Sequence, residues 1–185
     1  MYFDVLKEVS DVLNSLNILW AVGGSLVLYN NGIWDKPKDI DILINFKDAS
    51  KVKDIMDLKY ERLNLEYKAS FRTKEFFGYV INGINIEFMA DFTIVTDDEK
   101  EYNFLLDDEA VVDKMNVNET CVNVTSLEDW FVCYALMKDP KGRIPIIKEY
   151  FSKNEIQHKN LFERNLKRDI PNNIKKEIIN LLERK

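Results

Sequence analysis

Ile18-Leu19-Trp20-Ala21-Val22-Gly23-Gly24-Ser25, followed after residues 26–38 by Asp39-Ile40-Asp41, is the part of this chain whose reading decides the fold. The first stretch is a short apolar run that stops at two glycines. Such a run, bounded by a turn signal, reads as a buried strand entering a tight turn. Paired glycines let the backbone come close to a ligand. Amide N–H groups and a hydroxyl at the start of the next helix suit a phosphate. Alone, Gly-Gly-Ser is more often an ordinary strand-to-helix turn.

Asp39 and Asp41 stand two apart in a segment, residues 39–45, that becomes wholly aliphatic, as a central strand does. Residues i and i+2 of a strand share a face, with Cα atoms roughly 6.5–7 Å apart. Two carboxylates so placed can converge on a pair of divalent cations about 3.5–4 Å apart, the separation used in two-metal phosphoryl chemistry. Without a cation they repel and are costly to desolvate. Asp-x-Asp alone is as consistent with an edge strand that shows both acids to water. The two strings in this order and at this spacing are more specific than either.

Outward from that pair the pattern alternates between helix and strand. Residues 4–16 carry Val5, Leu6, Val9, Val12, Leu13 and Leu16 at helical spacing. A short helix from Ser25 to Tyr29 ends at Asn30-Asn31-Gly32. A second amphipathic helix is predicted over 47–59. Runs 75–81 and 84–89 flank Asn82-Gly83, the dipeptide that tolerates positive φ at both central positions of a type I′ hairpin. Further strands are expected at 92–95, 102–106 and 117–124. Asp97-Asp98-Glu99-Lys100 reads as a solvated turn.

At Ser126 the character changes. Ser126-Leu127-Glu128-Asp129 puts a capping hydroxyl three residues before an acid, close to the capping box that opens a helix. Trp130, Phe131, Tyr134 and Ala135 follow on its buried face, and Pro140-Lys141-Gly142 breaks the chain. Two or three more helices follow, with Pro171 just inside the last. The division is therefore a mixed α/β body over 1–125 and a helical region over 126–185.

The 185-residue chain has a net charge of −6, 46% hydrophobic residues and a pI near 5.0, values of an ordinary soluble globular protein rather than a dedicated DNA-binding module. Charge is unevenly spread: residues 138–185 hold 13 Lys/Arg and 7 Asp/Glu, and residues 1–137 hold 13 and 25. A basic tail attracts polyanions, or it is a solvated lysine-rich helical surface. Cys121 and Cys133 belong to no metal-ligand spacing and read as buried reduced thiols. No signal peptide or membrane span is evident, and a cytoplasmic location is expected. There is no GxxxxGK[ST] phosphate loop. His158, the single histidine, lies in the basic tail.

Strand, Gly-Gly-Ser, helix and Asp-aliphatic-Asp on the next strand resemble the signature of the DNA polymerase β-like nucleotidyltransferase superfamily, over about residues 18–90. The resemblance implies a nucleotidyltransferase fold of the α/β (α+β) class: a mixed twisted sheet flanked by helices, with a C-terminal helical bundle. It implies that Gly23, Gly24 and Ser25 grip a nucleoside triphosphate, and that Asp39 and Asp41 hold two Mg²⁺, for which Mn²⁺ can substitute. A third acid on a later strand completes the metal and catalytic set. Glu87, in mid-strand with Asn85 and Met89 on its face, matches that position, and Asp91 is the rival. Lys38, with Lys36, stands where relatives carry a phosphate-contacting arginine. Lys138 lies one turn beyond the nucleotide-facing position of the helix at 126, which Tyr134 occupies. The Ser-to-Asp spacing is long for the family, so the loop Trp34-Asp35-Lys36-Pro37-Lys38 is expected to project. The implied activity is Mg²⁺-dependent transfer of a nucleoside monophosphate, AMP from ATP, to a hydroxyl of an acceptor that is a small molecule, a tRNA or a protein. The alternative is a nucleotide-binding, catalytically weak module acting through a partner, as in toxin–antitoxin systems.

Overall fold

Val5, Leu6, Val9 and Leu13, spaced by threes and fours, form the fully buried face of the first helix, α1 (Tyr2–Ser15). The computed structural model describes residues 1–66 and 69–183. After α1 come β1 (Trp20–Val22), α2 (Ser25–Asn30), β2 (Ile40–Ile44), a 3-10 turn at Phe46–Asp48 and α3 (Ala49–Met56). The strands β3 (Glu61–Arg62), β4 (Glu75–Ile81), β5 (Ile84–Ala90), β6 (Thr93–Val95), β7 (Glu101–Asn103), β8 (Val111–Val117) and β9 (Thr120–Thr125) follow. The chain ends with α4 (Leu127–Leu136), α5 (Ile144–Lys153), α6 (Lys159–Leu166) and α7 (Asn172–Leu182).

Seven strands make one mixed sheet in the order β3-β4-β5-β2-β1-β9-β8, and β6 and β7 pair separately. Within the large sheet β2/β5 and β1/β9 run parallel, and the other pairs run antiparallel. The strands expected from apolar runs, β1 and β2, lie at its centre. Trp20, Ala21, Val22, Ile40, Ile42, Leu43 and Ile44 are all buried there. The Asn82-Gly83 hairpin is present, with φ of 50° and 76° at the two turn residues. One continuous core of buried side chains runs from Val5 in α1 to Leu181 in α7.

Several expectations need correction. The single strand predicted over 117–124 is a hairpin, β8 and β9, that turns at Asn118-Glu119 with φ of 48° and 71°. With no glycine in that turn, the composition did not mark it. The strand predicted at 102–106 stops at Asn103. The helix predicted over 47–59 opens as a 3-10 turn and ends at Met56, whose carbonyl accepts from the N–H groups of Lys59 and Tyr60. The edge strand β3 was missed because both its residues are exposed and polar. Pro171 caps α7 in an extended conformation (ψ 138°) rather than lying within it. Both cysteines are free, but only Cys133 is buried.

The break at Ser126 is a true helix start. The Asp129 N–H donates to Ser126 Oγ (3.0 Å), which in turn donates to Asp129 Oδ2 (2.9 Å). Asp129 is buried, which pushes its carboxyl above the usual range, against the pull of Arg164, Asn165 and Ser126. Asn165 Nδ2 donates to Asp129 Oδ1 (2.7 Å), and Tyr102 Oη donates to Asn165 Oδ1 (2.7 Å). This chain of bonds ties α4 to α6 and β7. Ser126→Ala removes the cap, so it should lower stability by about 1 kcal/mol. The check is the urea midpoint at constant slope; an unchanged midpoint would contradict the assignment.

Candidate active site

Gly23 and Gly24 differ in what they do. A Cβ on Gly23 would fall 2.2 Å from Trp130 Cζ2, so this glycine makes room for an indole from α4. Trp130 is held there by a bond from its Nε1 to Thr125 Oγ1 (2.8 Å), and its ring meets Phe92, Phe104 and Tyr134. Gly24 has φ of +58°, a conformation that L side chains rarely adopt. A Cβ there would fall 2.0 Å from Asp41 Oδ2. The turn therefore lies directly on the carboxylate, and Gly23 N–H donates to the Asp41 carbonyl (2.9 Å).

The parallel register of β2 and β5 pairs Asp41 with Glu87. On the other side of Glu87 the partner on β4 is Gly78, so no β4 side chain stands beside it in register. Asp39 lies two residues before Asp41, and its carbonyl accepts from Tyr2 Oη (3.0 Å). Burial, and then the charges of Asp41 and Asp39, push the Tyr2 phenol well above its usual range. Burial and Asp41 do the same to Tyr134. Two tyrosines, from α1 and α4, thus sense the field of these carboxylates.

Asp91, the rival for the third acid, does other work. Its backbone has φ of 53°, and its carboxylate accepts from Phe46 N–H (2.9 Å) and Lys74 Nζ (2.8 Å). Burial opposes ionisation there, but Lys74 and the Phe46 amide hold the carboxyl below its usual range. Its N–H donates to the Ile44 carbonyl, at the end of β2 away from Asp39 and Asp41.

Gly24, Ser25, Lys38, Asp39, Asp41 and Glu87 all line one cavity of about 830 Å³. Gly23 lies outside it, beneath Trp130. Lys36 and Lys138 are on its wall, and Lys138 Nζ pairs with Asp97 Oδ1 (2.6 Å). The Asp97–Lys100 turn is solvated, as expected, and Asp97 at its start also borders the cavity. Trp34 and Arg143 were not anticipated. The loop expected to project folds back instead: Arg143 Cζ lies 3.5 Å from the centroid of the Trp34 ring. An apolar wall of Phe71, Phe76, Met89, Phe92 and Val95 completes the cavity, beside Trp130 and Tyr134. The pairs i, i+3 and i+4 along α4 had marked those last two only as core. His158 lies elsewhere, its N–H donating to Glu128 Oε1 (3.1 Å).

The acid wall consists of oxygen donors, which suit hard divalent cations. The Asp41 carboxylate can sit there because Gly24 has no Cβ to displace it. Among the described residues, however, no three His, Cys, Asp or Glu side chains are drawn together tightly enough to form a ready-made cage. Asp39, Asp41 and Glu87 share one cavity.

No protein-family description matches the sequence, and no curated protein matches it. Solved structures do. A candidate nucleotidyltransferase from Thermotoga maritima superposes with a TM-score of 0.60, at 21% identity, over 83% of this chain and 94% of that one. The antibiotic-resistance factor ANT(2″)-Ia, solved in complex with adenylyl-2″-tobramycin, superposes with a TM-score of 0.53 at 13% identity, over 82% of this chain and 88% of that one. This chain has the nucleotidyltransferase fold. In that fold the expected mixed sheet, flanking helices and helical C-terminal region are all present. No described helix is long and apolar enough to cross a membrane.

The two glycines should fail differently when changed. Gly23→Ala forces its methyl into the Trp130 ring and should cost about 1–3 kcal/mol by overpacking. Gly24→Ala adds backbone strain and displaces Asp41, with a cost of about 1–3 kcal/mol for the strain alone. Denaturant titrations check both, and wild-type stability in either variant would remove the close approach inferred here.

Proposed function

We propose that this chain is a metal-dependent nucleotidyltransferase. It transfers a nucleoside monophosphate, AMP from ATP, to a hydroxyl of an acceptor and releases pyrophosphate. The observation that carries this reading is the pairing of Asp41 with Glu87 across neighbouring parallel strands, beside Asp39 and opposite the Gly24-Ser25 turn. The fold supports it, and so does the ligand of ANT(2″)-Ia, a small molecule bearing an adenylyl group.

Asp39, Asp41 and Glu87 would hold two Mg²⁺, or Mn²⁺ in their place. Bound there, the cations supply Lewis-acid stabilisation of the entering and leaving oxygens. Ser25 Oγ and the amides of the turn orient the phosphates at the start of α2. Lys38 and Lys36 neutralise charge on the polyphosphate. Glu87 accepts the proton of the attacking hydroxyl as the new O–P bond forms at the α-phosphorus. The bond from the α-phosphorus to the bridging oxygen then breaks, and pyrophosphate leaves with that electron pair. The cavity's volume falls in the range of small-molecule sites, and its apolar wall favours a small acceptor with an apolar body over a tRNA or a protein.

The second reading is a nucleotide-binding module that works through a partner. One experiment separates the two. ATP with Mg²⁺ together should raise the melting temperature of the wild type, and Asp39→Asn and Asp41→Asn should abolish the shift. An enzyme will also release pyrophosphate when offered hydroxyl acceptors, and Glu87→Gln should lower that rate by about 10²-fold or more. A shift without turnover across a broad acceptor panel would leave the binding module. A shift that survives both aspartate substitutions would sink both readings.

A further inference from the structure

Arg143 is the least explained charge in the molecule. It is only 7% exposed and lines the cavity, and its Nε and Nη1 atoms are buried with no hydrogen-bond partner. No described carboxylate pairs with it. The nearest acid in sequence, Asp139, uses both of its oxygens to accept the backbone N–H groups of Arg143 and Ile144. The guanidinium lies over the ring of Trp34, and the Trp34 indole N–H is likewise buried without a partner. A buried guanidinium with no counter-charge is costly to keep. Stacking on an aromatic face recovers part of that cost and leaves the forked donors unused.

The surroundings indicate what would use them. Lys36 and Lys38 come from the loop that holds Trp34, and Lys141 from the turn before Arg143; all three line the same cavity, and none is in an ion pair with a described residue. Four unspent cations are more than a single carboxylate on an acceptor would require. They match the charge of a polyphosphate chain. The planar fork of an arginine takes two phosphate oxygens at once, which an ammonium cannot do.

We infer that Arg143, held flat by Trp34, binds the terminal phosphates of the nucleoside triphosphate and the pyrophosphate that leaves, so that the helical region selects triphosphates over monophosphates. This rests on the nucleotidyltransferase reading of the same cavity and deepens it by assigning a residue of the helical region to the polyphosphate. Sequence gave no warning of it, because Arg143 lies more than a hundred residues from Lys38 and belongs to no motif.

The test is calorimetric binding of three probes in the presence of Mg²⁺: a non-hydrolysable ATP analogue, inorganic tripolyphosphate and AMP. Arg143→Met keeps the bulk and apolar packing against Trp34 but removes the charge. It should weaken the analogue and tripolyphosphate by about 30-fold or more, which is roughly 2 kcal/mol, and leave AMP within twofold. Arg143→Lys should recover only part of the loss, since it restores charge without the fork. If Arg143→Met binds tripolyphosphate as the wild type does, the inference falls and the nucleotidyltransferase reading stands. An equal loss for AMP would also overturn it, as a general disturbance of the cavity. If the wild type binds neither the analogue nor tripolyphosphate, the functional reading fails and the inference fails with it. If tripolyphosphate binding depends on Arg143 but the analogue ignores Asp41→Asn, the polyphosphate site survives and the transferase reading does not.

Discussion

The contact between Gly24 and Asp41 is the constraint around which the rest of the molecule is arranged. The space that a side chain at residue 24 would fill is already occupied by a carboxylate oxygen. That contact fixes the turn against the second strand and brings the start of α2 to the acid wall. It also demands a positive φ together with a ψ of −133°, a combination that glycine adopts without the strain a side chain would bring. Two requirements, steric and conformational, fall on the same residue. The adjacent Gly23 answers to a separate pressure, the face of Trp130, so the two glycines are not duplicates of one another.

Trp130 links the sheet to the helical region. It covers Gly23, stacks with Phe92, touches Tyr134 and bonds to Thr125, whose own hydroxyl donates to the Val22 carbonyl (2.9 Å). A single side chain from α4 thereby closes the back of the cavity and anchors the strand that leads into it. The cavity is also divided electrically. Apart from Asp97 at its rim, its acids come from β2, β5 and the residue just before β2, and its cations among the described residues come from the loops at 34–38 and 138–143. Elsewhere much of the basic C-terminal excess is spent locally, in pairs such as Lys148 with Glu177, Lys153 with Glu149 and Arg164 with Asp107. The solvated-surface reading of that tail holds for Lys153 with Glu149, while Arg164 is largely enclosed and Lys138, Lys141 and Arg143 line the cavity.

Legibility in the sequence followed the range of the interactions. Asn82-Gly83 announced its hairpin because the requirement for positive φ is met inside the dipeptide. Asn118-Glu119 makes a similar turn without glycine, and only its strand partners reveal it. The Ser126 cap was readable because donor and acceptor are three residues apart. Arg143 and Trp34 were not, because neither their contact nor their shared lack of partners has any local signature. Asp97 was read correctly as a solvated turn residue, but its pairing with Lys138 at the cavity rim joins residues forty-one apart and has no local signature either.

What the sequence determined by itself was the central pair of strands, the glycine turn between strand and helix, and the presence of Asp39, Asp41 and a mid-strand Glu87. Each depends on spacing within a few residues, or on a period of two that places side chains on one face of a strand. What only the tertiary structure decided was the company those residues keep. The parallel pairing of β2 with β5 sets Glu87 beside Asp41 and consigns Asp91 to Lys74 and the Phe46 amide. Packing of the helical region brings the distant basic loop at 138–143 to the same cavity as the acids. Register and docking are settled by burial summed over the whole core, and no short window of sequence contains that sum.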